Sequence, residues 1–161
     1  MSVSFVPAGM HQITPHLTVS SAAKAIDFYK QAFGAKELAR NQTPNGKIMH
    51  AHITIGDSHV LLNDPFPEMG GAPAPSADAH SPFAIQLYVP DADATFAAAT
   101  AAGATVAMPL TDMFWGDRYG QLVDPFGYRW SVATHKENVA PAELERRAKE
   151  MFSKMGAGKS H

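Results

Sequence analysis

Apolar and polar residues alternate along the chain in short stretches, and the whole pattern occurs twice. From Ile13 to Val19, Ile13, Pro15, Leu17 and Val19 fall on one face and Thr14, His16 and Thr18 on the other. That is the period of a strand with one buried side. Ser20-Ser21 offers a helix N-cap, and Ala22, Ala25, Ile26, Tyr29 and Phe33 follow at helical spacing, with Gly34 suited to the position just past the end. A strand is expected over about 36–42. In the next, Met49, Ala51, Ile53 and Ile55 alternate with His50, His52 and Thr54, and a fourth runs over 59–63. Pro44-Asn45-Gly46 and Gly56-Asp57-Ser58 supply the turns between them.

Residues 64–82 break the pattern. Pro65, Pro67, Pro73, Pro75, Pro82 and Gly70-Gly71 leave little to bury, so a mobile linker is expected. The pattern then restarts. Phe83, Ile85, Leu87 and Val89 alternate with Ala84, Gln86 and Tyr88; Asp91 caps an alanine-rich helix through Ala102, and Gly103 ends it. Strands are expected at roughly 105–110, 120–123 and 128–134. Asp124-Pro125-Phe126-Gly127 fits a type I turn between the last two. Leu17 and Val19 correspond to Leu87 and Val89, Ile26 to Phe96, and Gly34 to Gly103. A long period occurring twice indicates a duplicated module and not a solenoid. A final helix over about 139–155 places Leu144, Ala148, Met151, Phe152 and Met155 on one stripe, with Glu143/Arg147, Glu145/Lys149 and Glu150/Lys154 paired on the rest. This amphipathic helix is expected to pack on its own domain or on a second subunit.

The expected architecture is α+β, in a single domain over 1–161. Two tandem βαβββ modules, about 11–63 and 83–135, would form a curled, cavity-enclosing sheet with helices outside. Composition narrows the function. The formal charge is −2 with no Lys/Arg run, which argues against a nucleic-acid partner. With no cysteine there is no disulfide, thiolate metal site or cysteine nucleophile. No signal peptide or membrane-spanning run is read, so a cytoplasmic protein without a membrane partner is expected.

The duplicated module, the helix segment Ile26-Asp27-Phe28-Tyr29-Lys30 and the turn Asp124-Pro125-Phe126-Gly127-Tyr128 together resemble the vicinal oxygen chelate superfamily. That group includes glyoxalase I, bleomycin- and fosfomycin-resistance proteins and extradiol dioxygenases. Phe114-Trp115-Gly116-Asp117-Arg118-Tyr119-Gly120 with Trp130-Ser131-Val132-Ala133-Thr134-His135 looks like its PhnB-like branch. The resemblance implies metal ligands, His or a carboxylate, on the first and fourth strand of each module. By spacing from the motifs these positions are Thr14, Leu62, Ala84 and Ser131, with Leu62 open to a one-residue slip. None is a His or a carboxylate, so no metal cofactor is expected. The same positions turn the polar faces toward the cavity, bringing His16, Thr18, His50, His52, Gln86, Tyr88, Arg129 and Ser131 around it.

Two readings of His50 and His52, with His16 nearby, stay open. They could form a displaced metal site, since three imidazoles suit zinc or iron, or they are ordinary polar residues of a strand face. The second is preferred because no carboxylate completes a triad. Trp115 could stack on a flat ligand and Arg118 could pair with its carboxylate or phosphonate; alternatively Asp117 and Arg118 form a surface pair and Trp115 plugs a contact. Trp130 is expected to pack beneath the helices. His80, His135 and His161 carry no assigned role, and His59 or Asp64 would reach the cavity only in a shifted register.

The candidate ligand-binding residues are therefore His16, His50, His52, Gln86, Tyr88, Trp115, Arg118 and Ser131. The expected function is metal-free binding of an aromatic or anionic small molecule. The alternatives are a glyoxalase-type lyase, isomerase or dioxygenase with a non-standard metal or acid–base site, and a structural dimer without a ligand. A homodimer is expected, because open curled sheets leave edges to cover and the long linker permits exchange of modules. Light scattering at micromolar concentration should give twice the chain mass; a monomer there would refute it.

Overall fold

A computed structural model describes residues 3–79 and 81–157. The first module consists of β1 (His16–Thr18), α1 (Ala22–Phe33), β2 (Lys36–Gln42), β3 (Ile48–Ile55) and β4 (Ser58–Asn63). A single 3₁₀ turn, Pro67–Met69, lies in the connection. The second module repeats the order with β5 (Ala84–Tyr88), α2 (Ala92–Ala101), β6 (Thr105–Asp112), β7 (Asp117–Val123) and β8 (Arg129–His135). Helix α3 (Pro141–Ala157) follows. Each module makes one four-stranded sheet, ordered β1-β4-β3-β2 and β5-β8-β7-β6.

The duplication extends to register. The parallel pairs His16↔Leu61 in the first sheet and Gln86↔Ser131 in the second are offset by the same distance along the chain. Both helix starts are capped as expected: Ser21 Oγ accepts from the Lys24 amide and Asp91 Oδ1 from that of Ala94. Gly34 takes the left-handed conformation after α1.

In each module one sheet face is apolar and lies under its helix. Leu17, Ala51, Ile53, Val60 and Leu62 of the first sheet and Leu122, Trp130 and Val132 of the second are buried in one core with the helices. The helices also pack on each other, so both modules share one core. Tyr29 of α1 crosses into the second module. Its ring lies 5.3 Å from that of Trp130, and the Phe33 ring, tilted by 45°, lies 4.6 Å from the same indole. The Tyr29 hydroxyl donates to Asp124 Oδ2 at 2.6 Å. Asp124 also accepts from Trp130 Nε1 and from the amides of Phe126 and Tyr128, each at 2.9 Å. Burial pushes the Asp124 carboxyl upward even against these donors, and burial beside Asp124 holds the Tyr29 phenol well above its ordinary range. Tyr128 completes the lock by donating to the Thr18 carbonyl at 2.8 Å.

Several expectations need correction. Met49 is 47% exposed and Ile48 is buried in its place, because a bulge between Asn41 and Gln42 shifts the pairing at the start of β3. Ile13 lies outside β1 and is exposed. Asp64 does not approach the cavity: its carboxylate accepts from the amides of Ala22 at 2.7 Å and Ile48 at 2.6 Å, fixing the start of the linker to α1 and β3. Strand β7 starts at Asp117, ahead of the start expected near 120, directly after a tight Met113–Asp117 turn. Gly116 in that turn has φ of 100°, and a side chain there would run into the Glu137 carbonyl. The edge strand β6 carries Pro109 among its shifted pairings. On α3, the ion pairs expected from the sequence form, while Phe152 and Met155 stay 62% exposed.

Asp124→Asn tests the lock between modules. An amide can serve both backbone donors through its oxygen, but its NH₂ then faces the Trp130 N–H, leaving a buried donor unpaired. Chemical denaturation is expected to show a loss of about 1–3 kcal/mol, and no measurable change would mean that the contact does not hold the halves together.

Candidate functional site

The faces opposite the helices remain open, and strand alternation fills them with the polar stripes. On the first sheet these are His16, Thr18, His50, His52, His59, Leu61 and Asn63; on the second, Gln86, Tyr88, Tyr119, Gln121, Arg129 and Ser131. The registers locate the family's four ligand positions. Leu61, and not Leu62, is the equivalent of Ser131, since Leu62 lies fully buried on the helix side. Thr14, Leu61, Ala84 and Ser131 do not fit a metal: two are aliphatic, and the Ser131 hydroxyl accepts from Tyr119 and Gln121. Among the described residues no group of three or more His, Asp or Glu side chains is placed to hold an ion.

The histidines form two pairs. His16 and His50 meet edge to face, with ring centroids 6.1 Å apart. His52 Nε2 lies 2.6 Å from His59 Nδ1, which requires at least one neutral ring to accept. Burial, then the charges of His59 and His50, hold His52 below its ordinary value. The sequence reading undervalued His59; extending the β4 alternation back from Leu61 would have found it. A cleft of about 200 Å³ at the seam between modules is lined by Thr14, His59, Ile85, Gln86, Leu87 and Trp130, among others. This is where Gln86 sits.

The second open face is more elaborate. Asp117, 5% exposed, accepts from Tyr88 Oη at 3.0 Å, Trp115 Nε1 at 3.0 Å and His135 Nδ1 at 2.7 Å. Burial pushes this carboxyl up, but the three donors outweigh it and hold it below the usual range. His135 is raised by its bonds to Asn138 and Asp117, and the bond to Asp117 raises Tyr88. Trp115 lies edge to face on both Phe114 and Tyr119, at 5.1 and 5.5 Å. Beside it, Tyr119 and Gln121 each bond Ser131 Oγ, at 3.0 and 3.2 Å, and Gln121 Oε1 accepts from Arg129 Nη1 at 2.9 Å. Tyr88, Trp115 and Ser131 thus share one wall.

Arg118 is not on that wall, and it does not pair with Asp117. As the neighbour of Asp117 and Tyr119 it points to the helix side, where Asp93 holds it through two bonds of 2.7 Å and Asp112 through one of 3.3 Å. Trp130 lies under the helices, as expected. His135, given no role from sequence, joins the Asp117 cluster. The alternation of Asp117, Tyr119 and Gln121 along β7, three residues longer than expected, carries the signal. His80 and His161 lie outside the described residues.

The two histidines are expected to titrate in opposite directions. His135 should have its midpoint above the ordinary value near 6.5, so its contribution to stability is complete below that pH and lost as pH rises through the higher value. His52 should titrate below 6.5, its contribution present above that pH and lost as pH falls through the lower value. NMR titration checks both. Asp117→Asn should bring His135 down toward 6.5; an unchanged midpoint would remove Asp117 as a cause.

Comparison with known proteins gives one consistent answer. The family model for the Glyoxalase/Bleomycin resistance protein/Dioxygenase superfamily matches residues 9–132. An uncharacterized protein of Mycobacterium tuberculosis is 44% identical over 147 residues, covering 90% of this chain and 84% of its own. TioX from Micromonospora sp. ML1 is 28% identical with a TM-score of 0.60, covering 78% of this chain and 98% of that one. The PhnB protein from Bacillus cereus is 18% identical with a TM-score of 0.59, over 77% of this chain and 99% of that one, a likeness of fold. The chain belongs to the glyoxalase/bleomycin resistance protein/dioxygenase superfamily.

Proposed function

We propose that the protein is a small-molecule binding protein of the PhnB-like type, working without a metal and taking an aromatic or anionic compound on the open face of its second sheet. The observation that carries this reading is the wall of Tyr88, Trp115 and Tyr119. Each polar end is tied down, by Asp117 or by Gln121 and Ser131, while Tyr88 stays 59% exposed. Rings held in this way offer flat apolar surface without first losing side-chain freedom, which favours stacking on a ligand. The residues at the family's four ligand positions support the metal-free part.

Within one chain both open faces lie uncovered. A homodimer, with or without exchanged modules, would set one face against another and enclose the ligand. Among the described residues no helix is long and apolar enough to cross a membrane; we place the protein in the cytoplasm. One arrangement favours a second reading, a lyase, isomerase or dioxygenase with non-standard chemistry. The Asp117–His135 pair and the His52–His59 pair are potential acid–base groups.

Elemental analysis of the purified protein is expected to find no stoichiometric zinc, iron or manganese. A metal retained by the protein and lost in a His50→Ala/His52→Ala variant would favour the second reading. In a screen of aromatic acids and antibiotics, binding should change the tryptophan emission, and the change should disappear in Trp115→Phe. Emission unmoved throughout would remove the basis for a ligand site on this wall.

A further inference from the structure

Arginine pairing singles out one residue of the wall. Arg40 is paired with Glu37, Arg118 with Asp93 and Asp112, Arg146 with Glu143 and Glu150, and Arg147 with Glu137 and Glu143. Arg129 has no carboxylate partner among the described residues. Its hydrogen bond is to a neutral amide, Gln121 Oε1, at 2.9 Å from Nη1. A guanidinium carries five N–H donors in a planar fork, so most of this one's hydrogen-bonding capacity is unused by the protein.

The surroundings hold the group in place without neutralising it. Gln121 Nε2 donates to Tyr119 Oη at 2.8 Å and to Ser131 Oγ at 3.2 Å. Those bonds turn the amide oxygen toward Arg129. Across the sheet Arg129 is level with Ala84 on one side and Val123 on the other, neither of which can supply a charge. Arg129 itself is half-buried. A ligand or second subunit closing over this face would strip water from the cation, which is costly unless an anion arrives with it.

From this geometry we propose that Arg129 anchors the anionic group of the ligand, and that the ligand is an aromatic carboxylate. Its ring lies along the Tyr119–Trp115 edge, and its two carboxylate oxygens accept from the guanidinium fork. This rests on the small-molecule reading above and narrows it. Gln121 is a positioning residue, acting through Arg129. The anion-recognising role that the sequence suggested for Arg118 moves to Arg129, whose side chain shares a face with the aromatic wall.

Isothermal titration with 2-naphthoate and its uncharged counterpart 2-naphthamide tests the proposal. The wild-type protein is expected to bind naphthoate more tightly by on the order of tenfold or more, the effect of a charge-assisted hydrogen bond. Arg129→Gln should abolish that preference, weakening naphthoate binding far more than naphthamide binding. Arg129→Lys should keep part of it, since the charge remains but the fork is lost. Equal affinities in the wild type, or a preference surviving in Arg129→Gln, would overturn the anchor while the aromatic-binding reading stood. If Arg129→Gln does not fold, an undiminished preference in Arg129→Lys counts equally against it. Failure of both probes to bind the wild type at millimolar concentration would overturn both readings.

Discussion

One buried carboxylate fixes how the two halves of this chain meet. Asp124 receives a phenol from the first module and an indole and two amides from its own. Each donor would be costly to bury alone, and so would the carboxylate. Together they are satisfied only when α1, the Asp124–Gly127 turn and β8 stand in one arrangement. That arrangement places Tyr29 and Phe33 on Trp130 and brings Tyr128 to the Thr18 carbonyl. It also decides the alternation along β8. With Trp130 drawn into the core, Arg129 and Ser131 must stand on the open face.

The two modules have used the same backbone differently. The first sheet's open face is mostly imidazole, with His52 bonded to His59 and His16 edge to face with His50. The second has aromatic rings tied to Asp117 and a cation tied to an amide. In each sheet the packing is thus confined to one face. The helix side carries the packing and can hardly vary; the open side contributes little to the core. A family with one fold and many ligands needs that division.

Much of the fold was legible in the sequence because it rests on local chemistry. Ser21, Asp91 and Gly34 are capping residues wherever they sit, and β2 runs over the stretch expected for it. The failures have a common physical cause, register. A bulge at Met49 in β3 puts Ile48 in its place in the core, and one residue separates Leu62 from Leu61. Strand β7 begins before its expected start near 120, and the alternation over the added residues sends Asp117 to the open face and Arg118 away from it. Side-chain direction in a strand reverses with each residue, so an error that barely moves an element boundary reassigns every contact beyond it. His59 and His135 were missed for the same reason. Their partners His52 and Asp117 lie on neighbouring strands.

The outermost strands β2 and β6 occupy equivalent places, one at the far edge of each sheet. A free edge with unused backbone donors invites another chain to add to it, and the eventual outcome is a fibril. Both edges discourage this. Each strand has two register shifts, and β6 adds a proline in its middle, where no N–H is available to a newcomer. The guard lies in the edge strands alone, and the open faces carry no such device.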